Sequence, residues 1–193
     1  RVLKDLLMSG DKILKMEAIL SGTISYIFNH FVGDKTFGEV VKEAQDLGYT
    51  EPDPRDDLSG VDFMRKMLIL ARDTGYHIDA ILPKSCLEAD SVENFYQALK
   101  DENAYFENLK NEAKAANKVI RYIGILKDGK ISISLEMVDE AHPFYSLSGS
   151  DNVISFTTAR YQIRPLVIKG PGAGAEVTAA GVFADLINIS SIR

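Results

Sequence analysis

The segment "GYTEPDPRDDLSGVDFMRK", residues 48–66, holds five carboxylates, Glu51, Asp53, Asp56, Asp57 and Asp62, and closes on Lys66. Asp62 and Lys66 stand four apart, so on a helix they share a face and can touch. On an open surface such a pair is a solvated ion pair worth about 0.3–0.5 kcal/mol. Arg65, Arg72 and Asp73 share its arc and favour that use, whereas Leu58, Val61 and Ile69 in the same arc favour a covered face. A covered lysine beside a carboxylate can exchange a proton with a substrate, because desolvation lowers its pKa while the acid restrains it. Spacing alone leaves both uses open.

The same acids do not make a calcium loop. An EF-hand needs ligands at set positions, a central glycine and a closing glutamate, and two prolines with Arg55 break that pattern. Asp56 or Asp57 is expected to cap the helix that follows. A second candidate is "VIKGPGAGAEVTAAG", where Gly170, Gly172 and Gly174 lie between an expected strand and an expected helix. Glycines there let a backbone approach a ligand, and helix N-termini attract anions. The spacing is not G-x-G-x-x-G, and the 19 residues after Gly174 are too few for a second strand and a ribose-binding acid. A tight turn that packs a helix on a sheet explains the glycines equally well. His30, expected on a helix surface, His77 at a helix exit and His142 in a turn before proline form no metal-ligand pattern. No metal site is expected.

The elements that must position these groups can be read from periodicity and punctuation. "RVLKDLLMSG" reads as a short helix closed by Gly10, and "KILKMEAIL" as a strand ending at Ser21-Gly22. Thr23 is placed to cap a helix carrying Ile24, Ile27, Phe28 and Phe31. Thr36 caps a second, "FGEVVKEAQDLG", which Gly48 ends. After the proline-rich acidic loop, one long helix is expected from about Asp57 to Gly75. "DSVENFYQALK" and "NAYFENLKNEAKAANK" are amphipathic helices. "VIRYIGIL", "ISISLEMV", "NVISFTTA" and "IRPLVIKG" read as strands, the first two joined by the turn Lys127-Asp128-Gly129-Lys130. A small-residue helix, "AEVTAAGVFADLINI", closes the chain. The class is therefore α+β, with a mixed or antiparallel sheet covered by helices.

The bulk numbers set limits on function. With 193 residues the chain fits one domain, and 46% hydrophobic with 26% charged residues excludes a disordered polymer. A net charge of −6 gives no nucleic-acid footprint, and no apolar run approaches the roughly 18–20 residues that span a bilayer. The start lacks the apolar core and cleavage site of a signal peptide. Cys86 is alone, so a disulfide framework is excluded and a reducing cytoplasm is the expected setting. Because it does not begin with Met, the sequence is expected to be a piece of a longer chain.

Taken together, "ILSGTISYIFN", "AQDLGYTEPDPRDDLSGVDFMRK", "HPFYSLSGSDNVISFTT" and "GPGAGAEVTAAGVFADLI" resemble homoserine dehydrogenase over nearly the whole chain, the second stretch without gaps. The later blocks are most similar to the dehydrogenase half of bifunctional aspartokinase–homoserine dehydrogenases. The resemblance implies reversible hydride transfer between NADP or NAD and the pair L-homoserine and L-aspartate 4-semialdehyde. It implies that Lys66 gives and takes the proton at the reacting oxygen. Glu51 would hold the substrate ammonium, helped by backbone oxygens around Gly22 and Thr23, and Asp57 and Asp62 would complete the polar pocket. Gly48 and Gly174 would sit against the cofactor. The chemistry agrees: an ammonium needs a fixed carboxylate, and developing alkoxide charge needs a cation with a transferable proton.

Two parts of the family pattern are missing. The Rossmann domain that precedes the matched region has no counterpart here, nor does the family's upstream lysine and monovalent-cation site. Residues 1–193 are thus expected to be the substrate-binding and dimerisation domain, with 171–193 a loop and helix that would return to the cofactor domain. The isolated piece is expected to be inactive. A homodimer is expected through the sheet, whose second face lacks helices to cover its apolar residues. The rival reading is a non-catalytic dimerisation or regulatory amino-acid-binding module, which has no need of the acids and the lysine.

Overall fold

A computed structural model describes residues 1–78 and 89–191; the expectation attached to Cys86 lies outside them. The helices are α1 (Val2–Met8), α2 (Gly22–His30), α3 (Phe37–Asp46), α4 (Pro54–Leu58), α5 (Val61–Asp73), α6 (Val92–Asp101), α7 (Asn103–Ala115) and α8 (Ala175–Ser191). The strands β1 (Ile13–Ile19), β2 (Val119–Lys127), β3 (Lys130–Val138), β4 (Asn152–Thr158) and β5 (Leu166–Gly170) form one sheet in the order β3-β2-β1-β4-β5. Every pairing is antiparallel. The β2–β3 hairpin turns through Asp128 and Gly129, both at positive φ, which suits the right-handed twist of the strands. No helix among the described residues is long and apolar enough to cross a membrane.

Alternation divides the sheet into two faces. Met16 and Ala18 of β1, Leu126 of β2 and Phe156 of β4 pack against Phe63, Met67 and Ala71 of α5. Further along the same face, Ile120 and the α2, α3, α6 and α7 side chains Ile27, Phe37, Val40, Phe95 and Phe106 form a second cluster. Gly124 sets how closely α5 lies on β2. A Cβ there would meet Phe63 Cε1 at 2.6 Å and Met67 Sδ at 2.9 Å, so only glycine admits the helix at this distance.

On the opposite face, Ile19, Ile123, Val138 and Val153 are covered by Phe144 and Leu147 from the connection between β3 and β4. Arg121 fastens that connection. It is 6% exposed, and its guanidinium donates to the carbonyls of Phe144 at 3.0 Å, Tyr145 at 2.9 Å and Leu147 at 3.1 Å. Burial pulls its pKa below the ordinary arginine value. Arg121→Met is expected to leave these carbonyls without donors and to lower stability by about 3 kcal/mol or more. A urea midpoint unchanged from the parent would show that the connection holds without it.

Three expectations are corrected. Ser21, not Thr23, caps α2: its hydroxyl accepts from Ile24 N at 3.2 Å, leaving the Thr23 side chain free for other work. The helix expected from Asp57 to Gly75 is two helices, α4 and α5, divided at Gly60, whose φ of +71° is left-handed. The cap of α4 is Asp53, not Asp56 or Asp57. The uncovered part of the second sheet face is mixed, carrying Lys15, Glu17, Ser132, Ser134, Glu136 and Thr157 alongside the apolar Ile125 and Val167. There Lys15 Nζ lies 2.7 Å from Glu17, and His142 Nε2 lies 3.6 Å from the same carboxylate.

Candidate active site

The acidic loop is held by its own residues. Gly48, at φ +75°, ends α3 in a Schellman turn in which Tyr49 N donates to Ala44 O at 2.9 Å and Gly48 N to Gln45 O at 3.0 Å. Pro54 opens α4, and Arg55 clasps Asp53 in a forked ion pair while donating to Ala89 O at 2.9 Å. That guanidinium holds the Asp53 carboxyl below the usual carboxylate range. Asp53 and Arg55 therefore shape the loop, and other acids are left to face the cleft.

Asp57 ties the loop to α2. Its Oδ1 accepts from the Thr23 hydroxyl at 2.8 Å and its Oδ2 from Glu51 N at 2.8 Å. Thr23 Oγ1 also lies 2.7 Å from Tyr49 O, so two acceptors share one proton. The Tyr49 ring stacks on buried Tyr26 with centroids 4.1 Å apart, and His30 stacks on the other side at 3.9 Å. His30 is thus half-buried in an aromatic column, where a plain surface position was expected.

Asp62 and Lys66 lie on the first turns of α5, beside the Phe63 and Met67 side chains that Gly124 admits. Lys66 Nζ lies 2.7 Å from Asp62 Oδ2 and donates to Leu20 O at 3.1 Å, at the end of the central strand. Among the described residues the expected cover over this arc is absent: Ile69 is 60% exposed, and the Lys66 and Asp62 side chains are 46% and 66% exposed.

These groups converge. A cleft of about 360 Å³ is lined by Leu20, Gly22, Thr23, Gly48, Tyr49 and Glu51, together with Asp57, Asp62, Lys66 and the Pro171–Ala173 loop. Seven of the eight residues singled out from sequence line it. Gly174, at φ +129°, lies one residue beyond the lining at the start of α8. Ser150 and Asn152, which also line it, went unread, because "SGSDN" has the composition of an ordinary turn. The one available signal is phase: Asn152 falls on the inward side of β4 with Ile154 and Phe156. A larger hollow, about 620 Å³, lies between α2 and α7 around Phe28, Phe31 and Lys110. It holds an ion pair of its own, Lys110 with Glu107 at 2.9 Å, but none of the eight residues singled out from sequence lines it, so size alone does not locate the chemistry. No group of three or more potential metal ligands is found among the described residues.

Fold and cleft together define an α+β domain with a polar cleft set between a lysine–carboxylate helix and a glycine loop. The family model described as "Homoserine dehydrogenase" matches residues 1–187. The chain belongs to the homoserine dehydrogenase family. It is 46% identical over 197 residues to a chloroplastic bifunctional aspartokinase/homoserine dehydrogenase of Arabidopsis thaliana, covering 97% of this chain and 22% of that protein. With the homoserine dehydrogenase of Schizosaccharomyces pombe it shares 44% identity over 204 residues, 98% of this chain and 54% of the other. Among solved structures, a putative homoserine dehydrogenase from Archaeoglobus fulgidus superposes with a TM-score of 0.74 at 26% identity, over 97% of this chain and 53% of that one. A hyperthermophilic archaeal homoserine dehydrogenase mutant in complex with NADPH gives 0.68 at 25% identity, over 96% and 50%. The chain thus spans about half of the fission-yeast relative and about a fifth of the plant one.

Proposed function

We propose that this chain supplies the substrate site and dimer interface of an NAD(P)-dependent oxidoreductase that interconverts L-homoserine and L-aspartate 4-semialdehyde, in threonine and methionine biosynthesis. The carrying observation is Lys66, pinned by Asp62 and Leu20 O in the cleft that also holds Glu51. Glu51 takes the substrate ammonium, and Asp57 fixes the backbone that presents it. As the aldehyde is reduced, its oxygen gains negative charge and the Lys66 ammonium donates the proton that makes it an alcohol. In the oxidative direction Lys66 takes that proton back while Asp62 keeps it aligned.

A nicotinamide dinucleotide bound here supplies or accepts the hydride. This chain fits its reactive end: Gly170 and Gly174 have open space where a Cβ would stand, next to the cleft. It has no phosphate-binding fingerprint, so most of the dinucleotide would rest on a further domain. That domain would also cover α8, whose Val182, Phe183, Leu186 and Ile189 are 59–68% exposed, and the open arc of α5. A cytoplasmic setting belongs to the same reading. The homodimer would join through the open part of the second sheet face, where Val167, opposite Ser155 on β4, is 39% exposed.

The test compares two proteins, this chain alone and the protein at its relatives' full length. The longer protein is expected to reduce NAD(P) with L-homoserine, and the isolated chain to show no turnover but to scatter light as a dimer at low micromolar concentration. Lack of homoserine oxidation by the longer protein would overturn the enzymatic reading. A mass near 21.3 kDa at every dilution would remove the dimer alone.

A further inference from the structure

The hollow between α2 and α7, about 620 Å³, has the size of a small-molecule site. No residue lines both it and the cleft, so the two are separate. Topology opens it. The register of β1 with β2 runs from Gly124 to Lys127, and the chain then turns into α2. Val119, Ile120 and Arg121 therefore have no strand on that side, and the two helices wall the gap. Buried Phe28, Phe31 and Ile120 give it an apolar floor, and Val32, 63% exposed, adds an apolar rim.

Its charge runs against that of the chain. Lys110, Lys114, Lys118 and Arg121 line it against two carboxylates, Asp34 and Glu107, although the whole chain carries −6. Glu107 is taken by Lys110 at 2.9 Å, whereas Lys114 and Lys118 have no ion-pair partner among the described residues. Arg121 adds a donor that the fold does not use. A guanidinium carries five N–H groups. Nε and Nη2 serve the carbonyls of Phe144, Tyr145 and Leu147, and Nη1 gives one proton to Ile120 O at 3.1 Å, which leaves one Nη1 proton over. No carboxylate among the described residues pairs with this charge, although Arg121 is 6% exposed and buried charges are ordinarily paired.

We propose that this hollow is a second binding site, for a small organic anion. Its carboxylate or phosphate group meets Lys114, Lys118 and the guanidinium edge of Arg121, and its apolar body rests on Phe28, Phe31 and Val32. The site stands whether or not the cleft oxidises homoserine. The probe is anilinonaphthalene sulfonate, titrated by fluorescence into the full-length protein, with the uncharged N-phenylnaphthylamine as its counterpart. Arg121 also holds the fold, so the lysines are the residues to change. Lys114→Glu with Lys118→Glu should weaken sulfonate binding about tenfold or more, while the uncharged dye changes by no more than about threefold. Lys42→Glu, on α3 outside the hollow, should leave both dyes as they were. Benzoate and phenyl phosphate should compete with the sulfonate, the better competitor naming the charged group, and L-homoserine should not.

Sulfonate binding unchanged in the glutamate pair, equal losses for the two dyes, or competition by neither anion would overturn the site. Displacement by L-homoserine would place the dye in the cleft instead and overturn it as well. If the glutamate pair fails to fold, the neutral pair Lys114→Gln with Lys118→Gln decides by the same comparison, with an expected loss of about threefold or more for the sulfonate alone.

Discussion

Lys66→Ala in the full-length enzyme is expected to lower kcat by about 10²–10⁴-fold while KM for homoserine moves far less. The expectation follows from where the ammonium is held. Asp62 fixes it from within the helix at 2.7 Å, and Leu20 O fixes it from the sheet at 3.1 Å, so it has a place and not merely a charge. Lys66→Arg separates the two: it retains the charge and cannot give up a proton near neutral pH. Both variants should be slow. A lysine that only balances Asp62 would leave kcat near the parental value in both, and that result would return the pair to a surface ion pair.

Glu51→Gln is expected to act on binding, raising KM for homoserine by about tenfold to a hundredfold with a smaller change in kcat, as for the loss of one charged hydrogen-bond partner. Its backbone is held by Asp57 through Glu51 N, so the substitution leaves the loop in place. Among the described residues Asp62 pairs with Lys66 and Asp57 accepts from the Thr23 hydroxyl and Glu51 N, which leaves the Glu51 carboxylate as the cleft acid not already engaged. A substrate analogue without the amino group, 4-hydroxybutanoate, should be indifferent to the change. If the analogue and homoserine suffer alike, Glu51 does not meet the ammonium.

Local rules made some of this architecture legible. Thr36 and Glu39 form the capping box their spacing announces, and Gly48 closes the same helix. The hairpin turn at Asp128-Gly129 is equally local. The division of α4 from α5 was not legible, because a single glycine in an apolar-periodic run is often tolerated within a helix. Its consequence for the site is large. In one continuous helix Asp57 and Asp62 would point roughly 140° apart at 3.6 residues per turn, whereas the break at Gly60 brings both to one cleft. Arg121 was unreadable for a different reason: a charged residue in a strand reads as exposed, and its carbonyl partners lie more than 20 residues away. Glu51, Asp57, Asp62 and Lys66 stood out because acids and a lysine are sparse in the apolar sequence they adjoin. Asn152 did not, since its surroundings are made only by the crossing of two distant segments.

Lys66 reaches across to Leu20 O, and so couples the helix that carries it to the central strand of the sheet. Amides of β1 and of the buried side of α5 are expected to exchange with solvent only when the most protected part of the protein opens. The wall opposite, Pro171 to Ala173, is exposed and leads into a helix with little of this chain against it. One side of the cleft therefore keeps time with global unfolding and the other with local fluctuation. Lys66 sits on the slow side, and the glycine loop sits on the fast side. Ligands can then enter and leave by loop motion alone, without disturbing the alignment of the lysine.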